Sequence, residues 1–243
     1  MSSAAAEDHS RATRGALWVV SLGLREYSEA LVIQRDVARA RITGAIPEDV
    51  LLLVEHPPVI TLGRSSKPQH LVATADLLAS RGIALHEVER GGDVTLHAPG
   101  QLVGYPIVDL KRHKQDLHWY LRQVEEALIR SLAPFGIAGE RSAGYTGVWT
   151  QGRKLASIGV HARDWVTWHG FALNVSTDLE LFDMIVPCGI RAVQMTSVCR
   201  ECTAPPPAVP EVAAGVTLAF GTVFELEPIS RELGDVTLTV GAN

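Results

Sequence analysis

A cysteine and a lysine carry the strongest chemical signals in this sequence. Cys188 lies in Val186-Pro187-Cys188-Gly189-Ile190, where proline and glycine fix a tight loop and leave little bulk beside the sulfur. A thiol so placed attacks a carbonyl carbon if a neighbouring cation stabilises its thiolate; without one it is a buried, inert thiol, as most free cysteines are. Lys154 falls in Arg153-Lys154-Leu155-Ala156-Ser157-Ile158-Gly159-Val160, where strand alternation sets it on the apolar face of Ala156, Ile158 and Val160. Such a lysine either reaches past the strand end to water or occupies a pocket and serves there as acid or base.

Two further segments offer binding chemistry. Arg90-Gly91-Gly92, followed by Thr95 and His97 on one strand face, puts a guanidinium beside backbone that a ligand can approach closely. Trp168-His169-Gly170-Phe171-Ala172-Leu173-Asn174 carries a glycine inside a strand, a mark of a bulge or a close contact. Cys199-Arg200-Glu201-Cys202 has the spacing of half a zinc site or of a redox pair. No second ligand pair follows, and no βαβ unit surrounds it, so a structural role is expected and no metal.

The elements that must position these residues read as a mixture. A strand over Leu17–Leu22 and a helix over Tyr27–Ile42 open the chain, then strands at Val50–Val54 and Val59–Leu62. Thr74 caps a helix that runs to Arg81, and Ile83–Glu89 is a strand. The stretch from Arg90 to Ile107 is glycine-punctuated and strand-like. Asp116 caps the clearest helix, with Leu117, Tyr120, Leu121, Val124 and Leu128 on one face before Pro134 and Gly136. Residues 145–150, 153–163 and 165–175 form consecutive antiparallel strands. Asp178 starts a short helix ending near Ile185, Val186–Ile190 is a loop, and a last helix covers Glu211–Val223. This is an α+β pattern, one domain with a mixed, largely antiparallel sheet flanked by helices.

Composition narrows the function classes. The 243 residues, 47% apolar and 20% charged, suit one soluble globular domain. A net charge of −5 argues against nucleic acid as a partner, with Lys111, Arg112 and Lys114 a local basic patch that could dock an acidic carrier. Three cysteines do not resemble a disulfide framework, and residues 1–15 lack the apolar core of a signal peptide. No apolar run reaches the ~20 residues that span a bilayer. A cytoplasmic protein without membrane attachment is expected. No strand leads into a Gly-x-Gly-x-x-Gly turn and no phosphate-binding Gly-x-x-x-x-Gly-Lys loop is present.

Taken in order, five motifs resemble those of the lipoyl(octanoyl) transferases. They are Arg90-Gly91-Gly92-x-x-Thr95-x-His97, Pro99-Gly100-Gln101-Leu102-Val103-Gly104-Tyr105-Pro106, Lys154-x-x-Ser157-Ile158-Gly159, His169-Gly170-Phe171-Ala172-Leu173-Asn174 and Pro187-Cys188-Gly189-Ile190. The resemblance implies a fold like the catalytic domains of lipoate and biotin protein ligases, spanning 16–227, with 1–15 a flexible tail and 228–243 an extension. It implies Cys188 and Lys154 as a catalytic dyad. It further implies that Arg90, Gly91, Gly92, Asp93, Val94, Thr95, Leu96 and His97 bind substrate with Ser157, Ile158 and Gly159 and with Gly170, Phe171 and Ala172, His169 being a further pocket residue. Backbone N–H groups at Ser157–Gly159 or beside Cys188 are then the expected oxyanion donors. The implied donor is octanoyl-acyl carrier protein and the implied acceptors are lipoyl domains of 2-oxoacid dehydrogenase E2 subunits and the glycine cleavage H protein, with no cofactor. An ATP-dependent ligase of the same fold would need no nucleophilic cysteine. Two positions depart from the pattern: Ala98 stands where glycine usually precedes Pro99-Gly100, and Trp168 where a second histidine usually precedes His169.

Overall fold

The computed structural model describes residues 15–190, 193–203 and 205–237. The tail expected over 1–15 lies, apart from Gly15, outside the described residues. In chain order the elements are β1 (Ala16–Leu24), α1 (Tyr27–Thr43), β2 (Asp49–Glu55), β3 (Val59–Leu62), α2 (Ala75–Ser80), β4 (Ala84–Glu87), β5 (Val94–His97) and β6 (Gln101–Ile107). They continue with α3 (Leu117–Leu132), β7 (Gly147–Thr150), β8 (Arg153–Arg163), β9 (Val166–Asn174), α4 (Val198–Glu201), α5 (Val209–Phe224), β10 (Glu227–Ser230) and α6 (Leu233–Thr237).

The expected α+β architecture is what the chain adopts. Seven strands form one sheet in the order β10-β1-β2-β6-β9-β8-β7, and β4-β3-β5 form a second, smaller one. In the large sheet β1 runs parallel to β10 and β2, and every other pairing is antiparallel. Helices α3 and α5 cover one face, where Tyr120, Val124, Leu128, Val216 and Phe220 meet Leu51, Leu155 and Phe171. Helix α1 covers the other with Ala30, Val37 and Ala38 against Leu52, Val103 and Trp168. Residues beyond Pro228, outside the resemblance, supply half of β10 and the whole of α6, whose Val236 is buried in the α1 layer.

Local signals act as expected at several ends. The Thr74 hydroxyl accepts from Leu77 N at 3.3 Å, and the Asp116 carboxylate accepts from His118 N and Trp119 N at 2.9 and 3.1 Å. The stretch after Asp178 is a 3-10 helix, Leu179–Met184. Strand β9 leaves β6 after the Gly104–Phe171 pair, where His169 takes φ 55° and turns its N–H to Gln34 Oε1 on α1 at 3.0 Å. Pro106 occupies the part of β6 beyond that point, where its missing N–H costs the ladder nothing.

One expectation is overturned in β8. Trp149 pairs with Lys154 but Val148 pairs with Ala156, so β8 holds one residue more than β7 over this step. Adjacent residues Val148 and Trp149 face opposite sides, and therefore so do Ala156 and Lys154. The bulge takes Lys154 off the apolar face of Ala156, Ile158 and Val160 and sets it beside Ser157, whose partner is Gly147. Simple alternation fails here because it assumes an unbroken ladder.

Candidate active site

Both edges of Lys154 are fixed by backbone. It pairs with Trp149 on one side, while its N–H donates to Gln194 O at 2.8 Å and its carbonyl accepts from Thr196 N at 2.9 Å on the other. The side chain is fully buried. Cys188 sits at the crown of a single 3-10 turn, Pro187–Gly189, with φ 55° and ψ 20°, a left-handed conformation that costs a non-glycine residue energy and persists only where the surroundings enforce it. The stem of that turn is stitched to the segment after β3: Val186 N donates to His70 O at 2.7 Å, and Val72 N and Ala73 N donate to Met184 O at 2.9 and 3.0 Å. His70 Nδ1 lies 2.5 Å from Asp93 Oδ2, and this pair fills the space beside Gly189, where a Cβ would come within 2.5 Å of the Asp93 carboxylate. Only glycine fits there, at φ 67°.

These two anchored segments bring Lys154 Nζ to 3.0 Å from Cys188 Sγ, and Ser157 Oγ to 3.6 Å from the same sulfur. The amine and the sulfur are thus in direct contact, and a cysteine attacks carbonyl carbon as its thiolate. The N–H groups of Gly189 and Ile190 are spent on the Val186 and Pro187 carbonyls, at 2.9 and 3.1 Å, and are not free to hold an oxyanion.

The sulfur faces a cavity of about 470 Å³, within the range of small-molecule sites. Of the residues singled out in sequence, Arg90, Gly91, Gly92, Asp93, Thr95, His97, Ser157, Ile158, Gly159, His169, Gly170, Phe171 and Ala172 line it with Lys154 and Cys188. Val94 and Leu96 do not: alternation along β5 turns them into the apolar cluster shared by the small sheet and the 179–185 segment. Residues not anticipated also line it, among them Tyr27, Tyr105, Leu117, Leu121, Tyr145 and Ile190. Tyr105 stood inside a motif quoted above. Leu117 and Leu121 belong to the apolar stripe of α3, which does not say which of its turns faces a void; Leu117 is 39% exposed.

Arg90 is buried and donates to Thr61 Oγ1 and O and to the Gly91 carbonyl at 2.8 to 3.2 Å. Burial lowers its pKa from the usual guanidinium value, yet it stays a cation in the cavity wall. The histidines are a contrast. Burial, with the field of His56 second, lowers His97 to about 3; burial lowers His56 to about 4 and also lowers His169. His56 Nδ1 faces Arg25 O at 2.7 Å and so carries the proton, leaving Nε2 to accept from Tyr105 O–H at 2.8 Å. His97 Nδ1, Gln101 and Asn174 continue in a chain to Thr196 O at 2.8, 2.9 and 3.0 Å, bracing the segment beside Lys154. Glu89, behind His169, is held well below the usual carboxylate range by that ring, by Arg35 and by Trp168 Nε1.

Among the described residues no group of three or more His, Cys, Asp or Glu side chains could hold a metal ion, and no helix is long and apolar enough to cross a membrane. Cys199 Sγ faces the Pro207 carbonyl at 3.6 Å. In the basic patch, Lys111 meets Asp109 at 3.6 Å, Arg112 meets Glu48 at 3.8 Å and Lys114 meets Asp116 at 3.2 Å, so its charge is largely offset locally.

The family model described as the lipoyl protein ligase A/B catalytic domain matches residues 26–221. An octanoyltransferase of Gloeobacter violaceus is 47% identical over 213 residues, covering 88% of this chain and 92% of its own. One of Chloroflexus aurantiacus is 49% identical over 215 residues, covering 87% and 96%. Among solved structures, a bi-partite lipoate protein ligase from Thermoplasma acidophilum superposes with a TM-score of 0.73 at 15% identity, over 94% of this chain and 90% of that one. A lipoate-protein ligase A bound with ATP gives 0.72 at 16% identity, over 94% and 92%. These two structures share its fold.

Proposed function

This chain belongs to the lipoyl protein ligase A/B catalytic-domain family and is an acyltransferase, and on that premise we propose that it moves an octanoyl group from octanoyl-acyl carrier protein, through a thioester on Cys188, to a specific lysine of lipoyl domains. The acceptors on this reading are the lipoyl domains of 2-oxoacid dehydrogenase E2 subunits and the glycine cleavage H protein, met in the cytoplasm, where reduced thiols keep Cys188 free. The observation that carries it is the 3.0 Å approach of Lys154 Nζ to Cys188 Sγ in the cavity wall.

The donor thioester is already activated, so the cycle consumes no ATP. Cys188 thiolate attacks the octanoyl carbonyl, the carrier's sulfur leaves, and Lys154 ammonium gives it a proton, which leaves an octanoyl-cysteine and a neutral lysine amine. The incoming lysine amine attacks the new thioester, Lys154 takes the proton it sheds, and the amide departs as the thiolate–ammonium pair is restored. Protons and charge balance over the two halves. The apolar wall of Ile158, Val160, Phe171 and Ala172 suits the acyl chain, each buried CH₂ contributing about 0.8 kcal/mol. Arg90, Asp93, Thr95, His97 and His169 orient the polar part of the substrate.

The test is incubation with octanoyl-acyl carrier protein in the absence of ATP, read by intact-mass spectrometry. A hydroxylamine-labile octanoyl adduct on the native chain that is missing from Cys188→Ser supports the mechanism. No adduct on the native chain, or an equal one on the variant, rejects it.

A further inference from the structure

Among the described residues the fully buried Lys154 ammonium meets two partners and no carboxylate: Cys188 Sγ at 3.0 Å and the face of Trp149, with Nζ 4.9 Å from the ring centroid. The indole is held for this contact from two sides. Trp149 pairs with Lys154 across the β7–β8 step and exchanges two backbone hydrogen bonds with Glu140, of 2.9 and 2.8 Å, on its outer edge. Gly147 leaves this corner open: a Cβ there would lie 2.5 Å from the Ala156 carbonyl, 3.1 Å from Lys154 Cε and 3.2 Å from Trp149 Cη2. Trp149 is buried and does not line the cavity, so substrate contact does not explain its placement.

We propose that Trp149 is a positioning residue that holds Lys154 in its ammonium form through the ring face, and so biases the dyad toward the thiolate–ammonium pair. This rests on the dyad mechanism above. A ring face attracts a cation and gains nothing of the kind from a neutral amine. Its influence therefore has opposite signs in the two halves of the cycle. Before acylation it favours the thiolate by keeping the neighbouring cation charged. In the octanoyl-enzyme, where Lys154 has given up its proton, it disfavours the neutral amine that must accept one from the incoming lysine. Other charged or titratable groups reach this cavity from each packed element: Tyr27 from α1, Arg90, Asp93 and His97 from β5 and the segment before it, Tyr105 from β6, His118 from α3, Tyr145 from the loop before β7 and His169 from β9. Of these, Tyr145 also touches the Trp149 ring, the two centroids 6.4 Å apart.

The test uses the full chain carrying Trp149→Leu or Trp149→Phe. In the first arm Cys188 is alkylated with iodoacetamide over a range of pH, and its peptide is followed separately from those of Cys199 and Cys202. The leucine variant is expected to react roughly tenfold more slowly at about pH 7, with its rise displaced to higher pH, and phenylalanine, a weaker ring, to fall between. In the second arm, preformed octanoyl-enzyme is mixed with lysine amide in a single turnover, and the acidic limb of transfer is expected to move to lower pH. Alkylation by a folded leucine variant that superposes on the native profile overturns the proposal, as do limbs that move in the same direction, which loosening alone would produce. Should the leucine variant not fold, the phenylalanine variant decides in the same way. Failure of the native chain to form an octanoyl-enzyme would reject the acyl-transfer mechanism, and the alkylation arm would still decide whether the ring governs the dyad.

Discussion

At the dyad, Lys154 Nζ stands 3.0 Å from Cys188 Sγ and 4.9 Å from the Trp149 ring; in the histidine–tyrosine cluster, His97 stacks on Tyr27 at 5.8 Å and His56 sits 5.6 Å from His97 and 2.8 Å from the Tyr105 hydroxyl. Lys154, Trp149 and the histidine–tyrosine cluster are buried, with Cys188 partly so, and both groups touch one cavity through some of their members. Their chemistry diverges because of their partners. The lysine has a sulfur that can take the opposite charge and a ring that favours a cation. The histidines have a carbonyl, a hydroxyl, an amide and each other; the Arg25 carbonyl and the Gln101 amide favour a proton, but burial outweighs them and keeps the rings neutral. Burial alone does not make a residue an acid or a base.

The largest effect follows from breaking the charged cluster. Lys154→Met keeps the length of the stem and removes the charge, and it should slow octanoyl transfer about a thousandfold, as loss of a positioned acid–base group does. Thermal stability should hold or rise, because an apolar side chain of similar size replaces a buried charge. Single-turnover transfer and a thermal melt on the same preparation check both halves. Near-native transfer by a folded variant would remove Lys154 from the mechanism and erase the distinction between the clusters.

The neutral cluster has a different signature, in stability against pH. His97 and His56 titrate at about 3 and about 4 in the folded chain, against an ordinary 6.5. Between pH 6.5 and 4 the unfolded chain therefore binds protons that the folded chain refuses. The contribution is fully present above 6.5 and is lost as pH falls toward the folded values, at about 1.4 kcal/mol per histidine per pH unit at most. Urea midpoints should fall by the equivalent of a few kcal/mol between pH 7 and 4.5. His56→Gln, whose amide can donate to Arg25 O and accept from Tyr105, should flatten that slope. An unchanged slope would show that His56 is protonated in the folded chain and undo the contrast.

How much of this was readable without coordinates depends on the kind of signal. Helix α3, its Asp116 cap and the run of hairpin strands follow from periodicity and turn residues, and the structure agrees. The bulge that turns Lys154 to the side of Ser157 leaves no mark in the sequence, because bulged and unbroken ladders are built from the same residues. The left-handed φ of Cys188 is equally hidden, being imposed by stitching to His70 and packing on Asp93, far away in the chain. Tyr27 escaped notice because nothing at the start of a helix tells a tyrosine facing a cavity from one facing the core. Trp149 escaped notice because its role depends on a partner across the sheet.

The smallest effects compare one methyl group in each cluster. Next to Cys188, Gly189→Ala would drive a Cβ to within 2.5 Å of Asp93 Oδ2 at φ 67°, so the turn must shift and with it the sulfur. Next to His97, the alanine at position 98 is the opposite case. Ala98 is buried among the residues of the small sheet's apolar cluster and is absent from the residues with positive φ. Its methyl group therefore fills space without straining the backbone. Ala98→Gly should cost about 1 kcal/mol, from lost packing and from the greater freedom of the unfolded chain, and should leave transfer unchanged. Urea denaturation and steady-state transfer measure the two consequences separately. A gain in transfer would mean that the methyl restrains the Pro99-Gly100 turn, and that the neutral cluster shapes the site more directly than its hydrogen bonds indicate.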